Sequence, residues 1–249
     1  MSFFVTSPIR EVYWIRSRIA VAYGMDSLRV RAFSGLAFMT VMIGVFLFLP
    51  AWTLDYWEAW VYLFVFSGSC TIVTLYFLRK DPELIKRRVK AGPIAEKEKK
   101  QKVIQAIANV AFILGILLPG LDHRFQWSHV PLYLVIVGDV FVLLGFVAVF
   151  FVFKENTFTS AIVEVTPEQK VISTGPYRLV RHPMYAGALV MFLYTPIALV
   201  SFWGVIGTLP LLVLIVFRLL DEERVLGDHL SGYKEYCKTT PYRLIPLIW

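Results

Sequence analysis

Charge is scarce in this chain, and so are the residues that hold metals or form disulfides. Of 249 residues only 17% are Asp, Glu, Lys or Arg, against about 25% in soluble domains. There are two cysteines and four histidines. Cys70 falls within an apolar stretch and Cys237 in the polar tail, so the two are not expected to pair, and no CxxC metal site exists. His123 and His129 have no ligand partners at metal spacing, and no HExxH or glycine-rich phosphate loop occurs. No cleavable signal peptide is visible, because the first 31 residues are dotted with arginines and lack an apolar core. These absences exclude a disulfide framework, the zinc motifs and P-loop chemistry.

What is abundant is apolar length. Hydrophobic residues make up 57% of the chain. They fall into runs at 32–54, 57–78, 103–121, 131–153, 184–200 and 202–220. Each is near the ~20 residues needed to cross ~30 Å of hydrocarbon. The cations alternate between the segments that join them. The N-terminal arm carries Arg10, Arg16, Arg18, Arg29 and Arg31, and the 79–102 loop carries ten Lys and Arg. The 50–57 and 201 turns carry none, and the 121–130 loop only Arg124. The pattern predicts an all-α integral membrane protein of about six transmembrane helices, with both termini cytoplasmic. The net charge of +7 then reflects positive-inside loops facing anionic lipid headgroups, and no nucleic-acid partner is expected.

Two parts are expected. Residues 1–153 hold the arm and four spans. Residues 154–249 hold a polar loop, a short helical hairpin divided near Pro196 and Ser201–Gly204, and a polar tail. In the arm, Val12, Ile15, Ile19 and Ala22 recur at helical spacing, the pattern of a helix lying on the cytoplasmic leaflet. Asp139 is the one acidic residue inside the fourth run. It is either functional or a hydrogen-bond partner for a neighbouring span, for example at Asn109. Ser67-Gly68-Ser69 reads as a close helix-packing point.

Chemistry concentrates in the second part. The stretch Ser173–Gly187 contains Arg181-His182-Pro183-Met184-Tyr185. Gly175-Pro176 breaks the chain. Pro183 suits the first turn of a helix, so His182 sits at that helix's mouth, where free N–H groups and the dipole favour an anion. Arg181 adds a fixed cation. Tyr185 stays on the flank of His182, and Gly187 permits a close approach. A second cluster, Arg218-Leu219-Leu220-Asp221-Glu222-Glu223-Arg224, ends the sixth run, with Arg218 and Glu222 on one face. The clusters bracket one hairpin and so meet at one membrane surface. Cations, carboxylates and phenols beside lipid suit a polar zwitterionic cofactor meeting an apolar substrate.

STGPYxLVRHPMYAG, the hairpin, then RLLDEER and GYKEYC…PYRLIPLIW resemble the isoprenylcysteine carboxyl methyltransferases, integral membrane enzymes that use S-adenosylmethionine. The likeness is strong over 154–249, and the chain looks like a bacterial branch of that family over most of its length, including Glu96-Lys97 and Lys154-Glu155-Asn156. Those enzymes share the RHPxY plus Glu arrangement with phospholipid N-methyltransferases. The resemblance implies that Gln169, Lys170, Val171, Ile172 and Tyr177 line the cofactor, with His182, Pro183, Met184, Tyr185 and Glu222. It also implies that Arg218, with Arg181 nearby, serves catalysis, and that Arg218 meets the substrate carboxylate. The family's usual His-x-Leu-Val is Gln169-Lys170-Val171-Ile172 here, a change that main-chain contacts survive.

Charge tilts the choice of acceptor. A carboxylate is ionised at pH 7 and needs no general base, but it needs a cation, and guanidinium grips it in bidentate fashion. An amine would need a base instead. Arg218 therefore favours O-methylation of a carboxylate on a lipophilic small molecule or a prenylated substrate. N-methylation of a phospholipid or other amphiphile is the alternative, since Asp221 and Glu223 suit an amine. Two further readings stand behind these. The tail Tyr236-Cys237…Pro241-Tyr242-Arg243-Leu244-Ile245-Pro246 also echoes NADPH-dependent sterol reductases, and the scaffold could serve without catalysis.

Overall fold

The computed structural model describes residues 8–96 and 98–249, with side chains from Gly24 onward. Among the described residues every regular element is helical. In chain order they are α1 (Pro8–Ala51), α2 (Trp57–Lys80), α3 (Pro82–Val89), α4 (Lys99–Phe125), α5 (Leu132–Glu155), a 3-10 turn (Gly175–Arg178), α6 (Pro183–Ala198), α7 (Phe202–His229) and α8 (Tyr233–Thr239). Five stretches are long and apolar enough to cross a membrane: Gly24–Ala51, α2, α4, α5 and α7. The fold is that of a multi-pass membrane protein, and large side chains such as Phe38, Phe64 and Ile72 point outward, as lipid contact requires.

Several boundaries differ from the sequence reading. The fifth run yields only 16 residues of helix, about 24 Å at 1.5 Å per residue. The sixth does not stop near 220. It continues as one 28-residue helix to His229, because Glu222, Glu223 and Arg224 are good helix formers and Arg224 pairs with Asp221 one turn back. The hairpin is therefore lopsided, and the acidic cluster stands within α7 rather than at its end. The 79–102 loop contains α3, whose start is capped by Asp81 accepting from Leu84 N, with Pro82 in the first turn. The arm runs without a break into the first span. The side chains of its apolar face, Val12 to Ala22, lie outside the described residues, as does Lys97.

The core lies in three layers. Ile43, Leu47, Tyr56, Tyr62, Ile116, Val142 and Leu199 fill the half of the bundle away from the basic loops. Leu28, Phe77, Leu84 and Val152 fill the basic end, and Tyr185, Leu211, Ile215 and Leu219 join α6 to α7. α6 lies against α5 almost backbone to backbone. A Cβ on Gly187 would meet the Gly145 carbonyl at 3.2 Å and Ala148 Cβ at 3.3 Å, so the close approach is real. Gly68 has open space around it, and the α1–α2 contact there is made by Thr40 and Ser67 hydroxyls 2.8 Å apart.

The end opposite the basic loops is pinned by polar contacts. Tyr56 Oη donates to the Leu199 carbonyl at 2.5 Å. Asp122, almost fully buried, accepts from Ser128 N at 2.7 Å, Ser128 Oγ at 2.6 Å and Ser201 Oγ at 2.5 Å. His123 stacks on Tyr56, and no group of three or more His, Cys, Asp or Glu side chains that could hold a metal occurs among the described residues. Asp139 makes no bond to Asn109. Its Oδ1 is buried without a hydrogen-bond partner, and Asn109 is exposed on α4. Cys70 and Cys237 are both free.

Candidate active site

The site lies at the basic end, where α6 begins and α7 leaves the bundle. Pro183 occupies the first turn of α6 and His182 is its N-cap, as the sequence implies. The caps of that helix are set by the tail: Arg181 N and His182 N donate to the Tyr242 and Arg243 carbonyls at 2.9 and 3.0 Å. One turn on, Tyr185 is buried with its ring 5.8 Å from that of His182.

Tyr185 is the junction. Its Oη donates to Glu222 Oε2 at 2.5 Å and accepts from Arg218 Nε at 3.2 Å. Arg218 and Glu222 share a face of α7 yet are joined through this phenol. The rest of the Arg218 guanidinium is also engaged. Nη1 donates to Gln101 Oε1 at 3.0 Å and lies 2.7 Å from Glu96 Oε1, and Nη2 donates to the Ala161 carbonyl at 3.0 Å. Gln101, fully buried, turns its amide to Asp221 Oδ2 at 2.8 Å. Glu96 Oε2 accepts from Val163 N at 3.1 Å.

Beside this cluster is a second one. Glu223 Oε1 lies 2.9 Å from Arg181 Nη1 and 3.3 Å from His182 Nε2, and its Oε2 accepts from Arg243 Nε at 2.8 Å. An internal carboxylate therefore already meets the Arg181 and His182 side chains at the mouth of α6. Arg181 also reaches Cys237 Sγ at 3.2 Å and the Pro241 carbonyl at 3.1 Å, which ties it into the tail.

Met184 and Tyr177 complete the same region. Arg88 on α3 lies 3.7 Å from Met184 Sδ, donates to the Ser160 carbonyl at 2.8 Å and covers the Phe153 ring. Burial lowers its pKa, and the Tyr185 phenol counters that shift. The Tyr177 hydroxyl accepts from Asn156 Nδ2 at 2.9 Å, and its carbonyl accepts from Tyr236 Oη at 2.7 Å. Burial pushes the Tyr177 phenol up, and the Tyr236 phenol up to about 12. Both are neutral hydrogen-bonding groups at pH 7.

Residues 169–172 have no regular secondary structure and lie near the start of α8, where a Cβ on Gly232 would lie 3.9 Å from Val171. Lys170, Val171 and Ile172 make no backbone–backbone hydrogen bond with another described residue. The Tyr233 hydroxyl is buried without a hydrogen-bond partner, among charges that include Glu223 and Glu222. Free main-chain groups, an orphaned phenol and the Glu222 carboxylate form a donor and acceptor set that fits a zwitterionic, positively charged cofactor. The structure therefore brings Tyr177, His182, Met184, Tyr185, Arg218 and Glu222 to one place. Sequence reasoning gave no role to Glu96, Gln101, Arg88 or Arg243. An acidic residue among the cations of 79–102 was the available signal for Glu96.

Residues 133–231 match the family model for phospholipid methyltransferases. The match spans α5 to the end of α7, and so most of the site. Among curated proteins, the chain is 33% identical over 132 residues to the probable protein-S-isoprenylcysteine O-methyltransferases of Oryza sativa subsp. indica and subsp. japonica, covering 50% of this chain and 64% of each rice protein. It is 31% identical over 88 residues to the delta(14)-sterol reductase TM7SF2 of Mus musculus, covering 32% of this chain and 20% of the reductase. The chain thus spans about a fifth of the reductase and less than two thirds of the rice proteins. The match to the family and the rice proteins supports the resemblance carried by the RHPMY and Arg218–Glu222 elements.

Proposed function

We propose that this chain is a membrane methyltransferase that uses S-adenosylmethionine to O-methylate a carboxylate on a lipophilic, isoprenylcysteine-like acceptor. The observation that carries the proposal is the Tyr185 phenol bonded to Arg218 and Glu222 at once. It couples a cation suited to a carboxylate acceptor to a carboxylate suited to a cationic donor, at the mouth of a membrane helix. The basic end faces the cytoplasm by the positive-inside rule, so a water-soluble cofactor reaches the site from one phase and the acceptor from the bilayer.

When bound, S-adenosylmethionine supplies an electrophilic methyl group on a sulfonium. Glu222 offsets its positive charge. The main chain of Gln169–Ile172, Tyr177 and the His182–Tyr185 turn would hold it, and Arg218 would orient the acceptor. The acceptor carboxylate is ionised at pH 7 and needs no base, so the protein's work is positioning and exclusion of water. Arg181, locked to Glu223 and the tail, supports the mouth of α6.

N-methylation of a phospholipid or another amphiphile is the second reading. The name of the matching family model favours it, as does Glu96, which already balances the charge of Arg218. The purified protein in lipid nanodiscs, given labelled S-adenosylmethionine and an S-farnesyl-cysteine carboxylate, separates them. A base-labile methyl ester supports the first. A base-stable methylated lipid supports the second. Failure to bind S-adenosylmethionine by calorimetry overturns both and returns attention to the reductase-like reading.

A further inference from the structure

Glu96 delivers a carboxylate to Arg218 from outside the helical bundle. It sits in the irregular segment between α3 and α4, two residues after Ile94, which is 99% exposed. Its own side chain is fully buried, with Oε1 2.7 Å from Arg218 Nη1 and Oε2 on Val163 N at 3.1 Å. The Ala161 carbonyl, from the loop after α5, takes Nη2. A guanidinium has five N–H donors. Gln101, Tyr185 and Ala161 each take one of those on Arg218, and the Glu96 carboxylate stands against Nη1 as its ion partner. A carboxylate acceptor requires two, side by side. It cannot bind Arg218 in that manner while Glu96 remains.

We infer that Glu96 is a specificity-determining residue, which holds the acceptor's place on Arg218 and yields only to another carboxylate. The inference rests on the carboxylate reading above. Exchange of one carboxylate for another leaves the buried cation paired throughout, which avoids the large penalty of an unpaired buried charge. A neutral amide or ester offers no such compensation and does not displace Glu96. Methylation removes the acceptor's charge, so Glu96 then recaptures Arg218 and favours product release. The 90–96 segment and the 160–163 loop move, and the α6–α7 frame stays.

The test compares binding of an S-farnesyl-cysteine carboxylate and its methyl ester to the full chain in nanodiscs, for the unaltered protein and Glu96→Gln. Expected are a roughly tenfold tighter Kd and lower KM for the carboxylate in Glu96→Gln, with ester affinity changed less than about twofold and kcat not raised. A weaker Kd or higher KM in Glu96→Gln overturns the inference and makes Glu96 a support for Arg218. Hydrogen exchange of the unaltered protein gives a second readout that needs no variant. Amides of 91–96 should exchange faster with the carboxylate bound and not with the ester. Equal exchange overturns the inference. If the unaltered protein neither binds nor methylates the carboxylate, the parent reading has failed, and this inference with it. Carboxylate methylation with no tightening in Glu96→Gln sinks the inference alone.

Discussion

Arg243 donates to Glu223 across 2.8 Å and so fastens the last residues of the chain to the end of α7. The same carboxylate holds Arg181 and His182, so one side chain closes the mouth of α6, the end of α7 and the tail together. Glu223→Gln should therefore loosen the tail. Loss of one partner of a buried charge network costs about 3 kcal/mol, and the half-exposed Arg243 reduces that somewhat. Thermal unfolding in detergent should show a lower Tm. Limited proteolysis after about residue 230 should be faster. An unchanged Tm and cleavage rate would mean the hub contributes nothing.

Tyr185→Phe keeps the ring in the α6–α7 core and removes only the hydroxyl. Hydrogen bonds to charged groups contribute about 1.5–3 kcal/mol, so the Tm should drop, and turnover per folded molecule should fall roughly 10- to 100-fold. Equal turnover would remove the phenol from the proposed chemistry.

Arg218→Ala does two things at once. It removes the cation proposed to meet the acceptor, and it leaves Glu96 buried without its ion partner. The single variant should lose turnover and about 3 kcal/mol of stability. Adding Glu96→Gln should restore most of the stability and none of the turnover. Such non-additivity is the signature of two residues in contact. Glu222→Ala should instead lose S-adenosylmethionine affinity by calorimetry, and the reverse assignment of the two losses would overturn these roles.

Asp122→Ala strikes the far end of the bundle. It strands the hydroxyls of Ser128 and Ser201 and the Ser128 amide, each worth about 1 kcal/mol or more when left unmet. Tm should drop while S-adenosylmethionine affinity per folded molecule is unchanged. A parallel loss of affinity would show that the two ends are coupled.

The site's position was legible in the sequence because local chemistry dictates it. Pro183 suits the first turn of a helix, Gly175-Pro176 favours a turn, and cations mark one end of every span. Those rules place His182 and Arg218 at the same surface without any knowledge of packing. Other features were hidden because they are settled by contacts far apart in the chain. Nothing near Glu96 shows that it meets Arg218 on α7, or that Gln101 turns to Asp221. The length of α7 was hidden for the opposite reason. Hydropathy stops at Leu220, whereas helix propensity and the Arg224–Asp221 pair continue. Asp139 suggested a partner that burial and spacing alone could not supply.

The glycine contacts between α5 and α6 have a mechanical consequence. With Gly187 resting on the Gly145 carbonyl, and Gly138 on the Ala198 backbone, the two helices touch main chain to main chain at two points along that seam. Two such rods cannot piston or roll past one another without collision. The wall behind the RHPMY turn thus acts as an anvil, and any give needed to admit or expel a bulky guest has to come from the opposite face.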